Sequence, residues 1–380
     1  MHIPTAEELR SLFLLNPEVA FFNHGSFGAC PQPVFEDYQR WQRELEWQPI
    51  EFLGRRREQL MNEARSKLAE YINTPIDSLI FVVNATQGIN TIARSLDLQP
   101  GDEILTTNHE YGAINKTWQF VCQETGAKVV EHHLALPVTT HEAFVEEFWA
   151  DVTPRTRVIA MSHITSPTAL IFPIAAICQR ARAAGILTVI DGAHAPSQLD
   201  LDMEAIGADF YSGNCHKWLC APKGSGFLYA RSEHHTGIEP LVISHGWIAD
   251  GTFASRNEWY GTRDIAPFLS VPAAIAFQGE HHWSGVRARC HAAAVELHNR
   301  LCDVTGLEPI ATDLDVWFSQ MIAIPMPRGR LREIAQALYE QNIVVSGGAI
   351  DDDNFMRVSI QGYNTQADID RLYNGIVELL

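Results

Sequence analysis

Nowhere in this sequence do apolar residues run on for the roughly 20 positions a membrane-spanning helix needs. The opening MHIPTAEELR has no basic segment leading into an apolar one, so no secretory signal is expected and the expected location is cytoplasmic. Cysteine is sparse and odd in number, seven in 380 residues. Cys215 and Cys220 are the closest pair and no second pair accompanies them, which argues against a disulfide framework or a zinc site. Positive charge is scarce, 28 Lys and Arg against 46 Asp and Glu, for a net charge of -18. Nucleic acid and anionic membrane surfaces attract basic patches, so neither is expected as a partner. Sixteen histidines are present, but the doublets His132-His133, His234-His235 and His281-His282 place neighbours on opposite sides of a helix or strand, a poor chelate, and no metal is expected.

What is there is ordinary globular composition, 46% hydrophobic and 19% charged. The length suits two domains. Residues 1–20 read as a short helical arm with Thr5 as N-cap, 21–267 as a large domain and 268–380 as a smaller one. After a loop over Asn23–Gly28 and a long helix from about Val34 to Tyr71, strands and helices alternate. Strands are expected at Ser78–Val83, Glu103–Thr107, Val129–His132, Val158–Ser162, Leu187–Ile190 and Phe210–Ser212, with helices at Gly88–Leu96 and Ile174–Gly185. Continuously apolar strands alternating with helices indicate an α/β fold with a mainly parallel sheet buried on both faces. Beyond Pro267, a long helix over Val271–Thr305 leads into strands near Met321–Ile324, Ile343–Ser346 and Met356–Ser359, a smaller α+β unit.

In an open α/β sheet, ligands gather beyond the carboxyl ends of the strands. Three segments lie there. Asn84-Ala85-Thr86-Gln87-Gly88 precedes a helix, whose free amides and hydroxyl suit a phosphate, although an ordinary N-cap looks the same. Asp191-Gly192-Ala193-His194 follows a strand, where a carboxylate either caps the next helix or faces a protonated pyridinium. Tyr211-Ser212-Gly213-Asn214-Cys215-His216-Lys217-Trp218 embeds one of the chain's few lysines among aromatic and small residues. A desolvated lysine loses its proton more readily and becomes a Schiff-base nucleophile.

The run DGAHAPSQLDLDMEAIGADFYSGNCHKWLCAPKGSGFLY resembles the class V aminotransferase family of fold type I pyridoxal-phosphate enzymes. NHGSFGACP, NATQGIN, NHEYG, SPTALIFPI and GNCHKW resemble its isopenicillin N epimerase-like branch, over about Phe22 to Thr365. The resemblance implies pyridoxal 5′-phosphate held by Lys217 as an internal aldimine, with Lys217 then shuttling the substrate's α-proton. Asp191 would bond the pyridinium and His194 the phenolic oxygen. Ala85, Thr86 and Gln87 would hold the phosphate, helped by Asn214 and His216. Tyr111, in preference to His109, would stack on the ring, and Thr165 and Ser166 would make a polar contact. Gly261 and Thr262 would reach the cofactor of a neighbouring subunit in a homodimer. Arg357 would take the α-carboxylate of a small amino-acid substrate, bordered by Asn23 and His24. Trp218 and Phe27 are expected to pack in the core, with a place in the pocket wall as the alternative, and Asp351-Asp352-Asp353 to form a solvated loop.

The same residues serve several reactions. Desulfurases of this class carry a cysteine on the loop before the carboxylate arginine, and Ser346–Met356 contains none, which disfavours persulfide chemistry. Epimerisation, with Tyr111 or His109 relaying a second proton, ranks first. C–S lyase chemistry follows, then transamination. A non-catalytic binding protein would be expected to lose Lys217, Asp191 or Arg357, and all three are present.

Overall fold

The computed structural model describes residues 2–350 and 352–380. A two-residue strand, Ala20–Phe21 (β1), comes first. Then follow Leu79–Val82 (β2), Glu103–Thr107 (β3), Lys128–His132 (β4), Thr156–Ser162 (β5), Leu187–Gly192 (β6), Phe210–Asn214 (β7) and Gly226–Ala230 (β8). Strands β2 to β8 form one seven-stranded sheet in the order β2-β8-β7-β6-β5-β3-β4. Every adjacent pair is parallel except the two made by β8. The mainly parallel sheet is as expected; β8 is the strand the sequence reading omitted. Its five residues follow the tight Lys223-Gly224-Ser225 segment with no polar alternation to mark them, and only pairing with β2 and β7 makes them a strand.

Successive residues of a strand face opposite sides, and here each side is apolar. Leu79, Phe81, Leu105, Ile159, Ile190 and Tyr211 join one buried cluster. Ile80, Val82, Ile104, Val158, Val189 and Phe210 join another. Helices cover both faces, so the strands bury two sides and carry the continuous apolar runs seen in the sequence. The carboxyl ends of β2, β3, β5, β6 and β7 all emerge at one edge.

Two long helices are interrupted. The segment expected as one helix to Tyr71 consists of Gln32–Trp47, a π-helical stretch Ile50–Arg56 and Arg57–Tyr71. The break precedes Pro49, where Gln48 adopts φ -152° and ψ 82°, away from the helical region as residues before proline prefer. The second expected helix divides into Val271–Glu280 and Trp283–Thr305, where His282 takes a φ of 49°. Thr5 caps the first short helix, with Glu8 completing a capping box. The expected Asn23–Gly28 loop contains a one-turn helix, His24–Phe27.

Four further strands are Met321–Met326 (β9), Ile343–Val344 (β10), Ser346–Ile350 (β11) and Asp353–Ser359 (β12). The single strand expected over Ile343–Ser346 is thus divided. β10 pairs in parallel with β1, tying the start of the chain to its end. β11, β12 and β9 form an antiparallel sheet in that order, which presents Arg357 on its central strand. No described helix is long and apolar enough to cross a membrane.

The helix Ala85–Ser95, which follows β2, lies close to β7 at Gly88. A Cβ added there would stand 2.1 Å from the Ser212 hydroxyl oxygen. Gly88→Ala is expected to destabilise the fold by about 1–3 kcal/mol through overpacking, despite alanine's better helix propensity. Urea unfolding checks this, and adding Ser212→Gly should recover part of the loss if the clash is the cause.

Candidate active site

Where the strand ends meet, a cavity of about 200 Å³ is lined by Thr86, Tyr111, Asp191, His194, Asn214 and Lys217, among others. A second cleft of about 330 Å³ shares Tyr111 and Ser166 with it and leads to Arg357. Most of the residues singled out in the sequence therefore converge on one hollow.

Lys217 follows β7 in a turn braced from behind. His24 is fully buried, and its Nε2 lies 3.0 Å from the Lys217 carbonyl while its Nδ1 meets the Tyr363 hydroxyl at 3.0 Å. Burial holds His24 down to about 3, so it is a neutral brace, and it does not line the cavity. Gly28 closes the same turn with φ 72°; a Cβ there would fall 2.0 Å from the His216 carbonyl oxygen.

The Lys217 amine stands 3.2 Å from His194 Nε2. Trp218 lends its indole N–H to His194 Nδ1 at 3.4 Å. Indole nitrogen only donates, so Nδ1 is the acceptor and the imidazole proton sits on Nε2, pointing at Lys217. Burial depresses His194 well below its usual range, which keeps it neutral. Lys217 then receives that N–H as a free amine. Consistently, burial, reinforced by the Arg357 charge and opposed by Asp191, lowers Lys217 to about 7. Trp218 is a core residue, as expected, with its N–H put to use.

Asp191, on β6, is buried and accepts the Ala193 N–H at 2.9 Å. Burial raises its carboxyl above the usual range, with that amide and Lys217 opposing. It is a carboxylate held ready for a cation. On the helix after β2, the Ala85 N–H donates to Asn214 Oδ1 at 2.8 Å, which leaves the Asn214 amide nitrogen without a protein acceptor. The Gln87 N–H donates to Asn84 Oδ1 at 2.9 Å, and Gln87 Oε1 accepts from Val83 at 2.8 Å. Among the described residues, the Thr86 N–H and hydroxyl in this turn are left without a protein acceptor, as are the Asn84 and Gln87 side-chain amide nitrogens. His216 donates from Nδ1 to the Ser225 carbonyl at 2.9 Å, leaving Nε2 bare. These are what a phosphorylated pyridine aldehyde requires: an amine, a carboxylate for the ring nitrogen and donors at a helix N-terminus.

Tyr111 is 46% exposed and lines both hollows, whereas His109 is fully buried with Nδ1 on Thr168 at 2.7 Å. Thr165 is buried behind Ser166 and bonded to Thr168 at 2.9 Å. Gly261 and Thr262 lie outside the cavity, in the segment between Trp259 and Arg263 that borders a separate hollow of about 380 Å³. Phe27 is 71% exposed on the cavity wall rather than in the core, because the one-turn helix carries it outward. Asp352 and Asp353 pair with Arg328 at 3.8 and 3.0 Å, away from the cleft, and Asp351 lies outside the described residues. All seven cysteines are free, and none lines the cavity or the cleft.

Arg357 is buried with only neutral partners. It donates to the Ser166 carbonyl and hydroxyl, to Ser26 Oγ at 3.1 Å and to Ser346 Oγ at 3.4 Å, while its Nε has no partner. Burial lowers it to about 10, still cationic at neutral pH. Ser26 is itself oriented by Asn23 Oδ1 at 2.6 Å. Sequence reasoning missed Ser26, Ser346, Ser162 and Glu110. Ser162 ends β5, so the strand-end rule could have found it; Ser26 meets Arg357 across 331 positions, and no local signal marks that.

The family model for class-V aminotransferases matches residues 29–372. The chain belongs to the class-V aminotransferase family. It is 35% identical to the isopenicillin N epimerase of Amycolatopsis lactamdurans, over 96% of each chain. It is 28% identical to a probable chloroplastic L-cysteine desulfhydrase of Arabidopsis thaliana, over 95% of this chain and 83% of that one. In fold it matches a C-DES mutant with glycine linked covalently to its pyridoxal-phosphate cofactor, at TM-score 0.83 and 22% identity, over 99% of both chains. Pyridoxal 5′-phosphate is the cofactor, and the cavity's residues fit it.

A lysine depressed by burial exposes its free amine at lower pH. In the cofactor-free protein, reductive labelling of Lys217 should rise with pH to a half-maximum near 7, whereas an ordinary lysine rises near 10.5. Peptide mass spectrometry across a pH series reads both.

Proposed function

We propose that this enzyme moves the α-proton of an amino acid or amino-acid-containing substrate, as an epimerase. The observation that carries the reading is Arg357, a buried guanidinium without a carboxylate partner, opening on the cleft that adjoins the cavity of Lys217 at Tyr111 and Ser166. A planar guanidinium held by hydroxyls is matched to a carboxylate that arrives with the substrate. The bound cofactor supplies an electron sink for the bond broken at the α-carbon.

The chain's own residues do the rest. Lys217 holds the cofactor and then exchanges the α-proton on its own face, a role that needs the neutral amine to take the proton and the ammonium to give one. Asp191 retains the proton on the ring nitrogen, and His194, its Nε2 proton fixed by Trp218, donates to the phenolic oxygen. Thr86 and the Asn214 amide bind the phosphate. His216 joins them only as an imidazolium, since its Nδ1–H is spent on Ser225; a phosphate dianion at Nε2 would favour that form. Tyr111 covers the ring and relays the proton on the face opposite Lys217. Gly261 and Thr262, remote from their own cavity, reach the phosphate of a second copy in a homodimer.

The similarity to isopenicillin N epimerase over nearly the whole chain favours inversion. A C–S lyase is the second reading: similarity to the desulfhydrase supports it, and it needs only Lys217 and a leaving group on the β-carbon. Persulfide chemistry lacks a cysteine on β11 and β12 to accept sulfur.

In deuterated buffer with a panel of L-amino acids and cysteine conjugates, proton NMR should show the α-proton signal vanish while the compound persists, with the other configuration found by chiral chromatography. Pyruvate or another keto acid in its place would overturn the epimerase reading for that substrate. Arg357→Lys should raise KM for a carboxylate substrate about 10- to 100-fold, the worth of a hydrogen bond to a charged group at about 1.5–3 kcal/mol. Affinity for the corresponding amine lacking the carboxylate should stay unchanged.

A further inference from the structure

The cleft that leads to Arg357 is walled on one side by β11, and all five residues of that strand, Ser346–Ile350, border it. Side chains alternate along a strand, so five neighbours in a row meet one cleft only where the backbone itself forms the wall. Glycine makes this possible. A Cβ on Gly348 would stand 2.9 Å from the Pro167 carbonyl oxygen, and one on Gly347, on the other face, 2.8 Å from Leu331.

β11 is also the edge of its sheet, whose order is β11-β12-β9. Its register ends on the pair Ile350 and Asp353. Only two residues separate them, so this closing pair is of the hydrogen-bonded kind, and the two kinds alternate along the ladder from there. Gly347 and Ala349 therefore turn their N–H and C=O away from β12. Among the described residues, no backbone group of Ser346–Ile350 bonds outside this ladder. Arg357, buried at the same cleft, keeps an Nε without a partner. Tyr111 and Ser166 make the cleft continuous with the cavity of Lys217.

We propose that the free edge of β11 is the subsite for the substrate's side chain, and that it selects a side chain carrying an amide. The inference rests on the reading of Arg357 as partner of the α-carboxylate, which leaves the side chain to extend along the cleft. An edge strand offers an N–H donor beside a C=O acceptor. An amide carries an acceptor and a donor in one plane and answers both, as an added strand would. A carboxylate has no proton for the C=O, an ammonium has no acceptor for the N–H, and an alkyl group leaves both unpaired. With Arg357 taken by the α-carboxylate, the lining holds no second cation for an acidic side chain.

The test titrates the holoenzyme with isosteric sets of L-amino acids and reads the cofactor's absorbance. The sets are asparagine, aspartate and leucine; glutamine, glutamate and homoleucine; and the next longer homologues. At the chain length that reaches β11, the amide should bind about 5- to 50-fold more tightly than its acid and alkyl isosteres, the worth of two neutral hydrogen bonds. Ala349→Pro removes one outward N–H and spares the ladder, at a place where an edge strand accepts proline. It should cut the amide preference by about 3- to 10-fold and leave the alkyl isostere's affinity unchanged. Acids or alkyl compounds binding as well as the amides at every length would overturn this proposal and leave the reading of Arg357 standing. An amide preference that Ala349→Pro does not touch would overturn the assignment to β11. A cofactor spectrum unmoved by every compound would overturn the α-carbon reading and this proposal together.

Discussion

Lys217 is an amine taken out of water and placed near the Arg357 cation, and much of the site follows from keeping that arrangement. Desolvation and the nearby Arg357 charge both push the amine toward neutrality, while Asp191 pulls the other way. A surface lysine at neutral pH is almost wholly protonated and a poor nucleophile. The fold produces the reactive form by burial. His24 and Gly28 hold the turn behind it, and Trp218 fixes the imidazole that faces it.

The other charges obey the same economy. Arg357 is surrounded by serine hydroxyls and a carbonyl, so its charge is solvated but not cancelled. Asp191 keeps a single backbone donor, and Glu110 receives only hydroxyls. A site built from salt bridges would hold its charges against one another and resist an incoming zwitterion. Neutral donors leave each charge available, at the cost of pKa values displaced far from their usual ranges.

The parallel sheet was legible because strands buried on two faces must be apolar throughout, and Leu79–Val82 and Leu187–Ile190 are. Asp191, His194, Asn214 and Lys217 were legible for a related reason: parallel strands bring all their carboxyl ends to one edge, so residues at or just past the ends of β6 and β7 share one cavity. β8 and the division of Ile343–Ser346 into two strands were not, because short segments take their identity from the partners they pair with. Tyr111 and His109 are two positions apart in one turn, and only the path of that turn sends one to the cavity and the other to Thr168.

By itself, the sequence determined the chemistry on offer: an amine, an acid, an imidazole and a guanidinium, spaced as in the class-V aminotransferases. It determined the layered α/β architecture too, since both rest on local pattern and strand-end geometry. Only the tertiary structure decided which groups carry charge. Whether Lys217 is an amine or an ammonium, and whether Arg357 meets serines or a carboxylate, depends on burial and on contacts that span hundreds of residues. Local sequence does not encode these, because electrostatic energy depends on distance through space and on the exclusion of water.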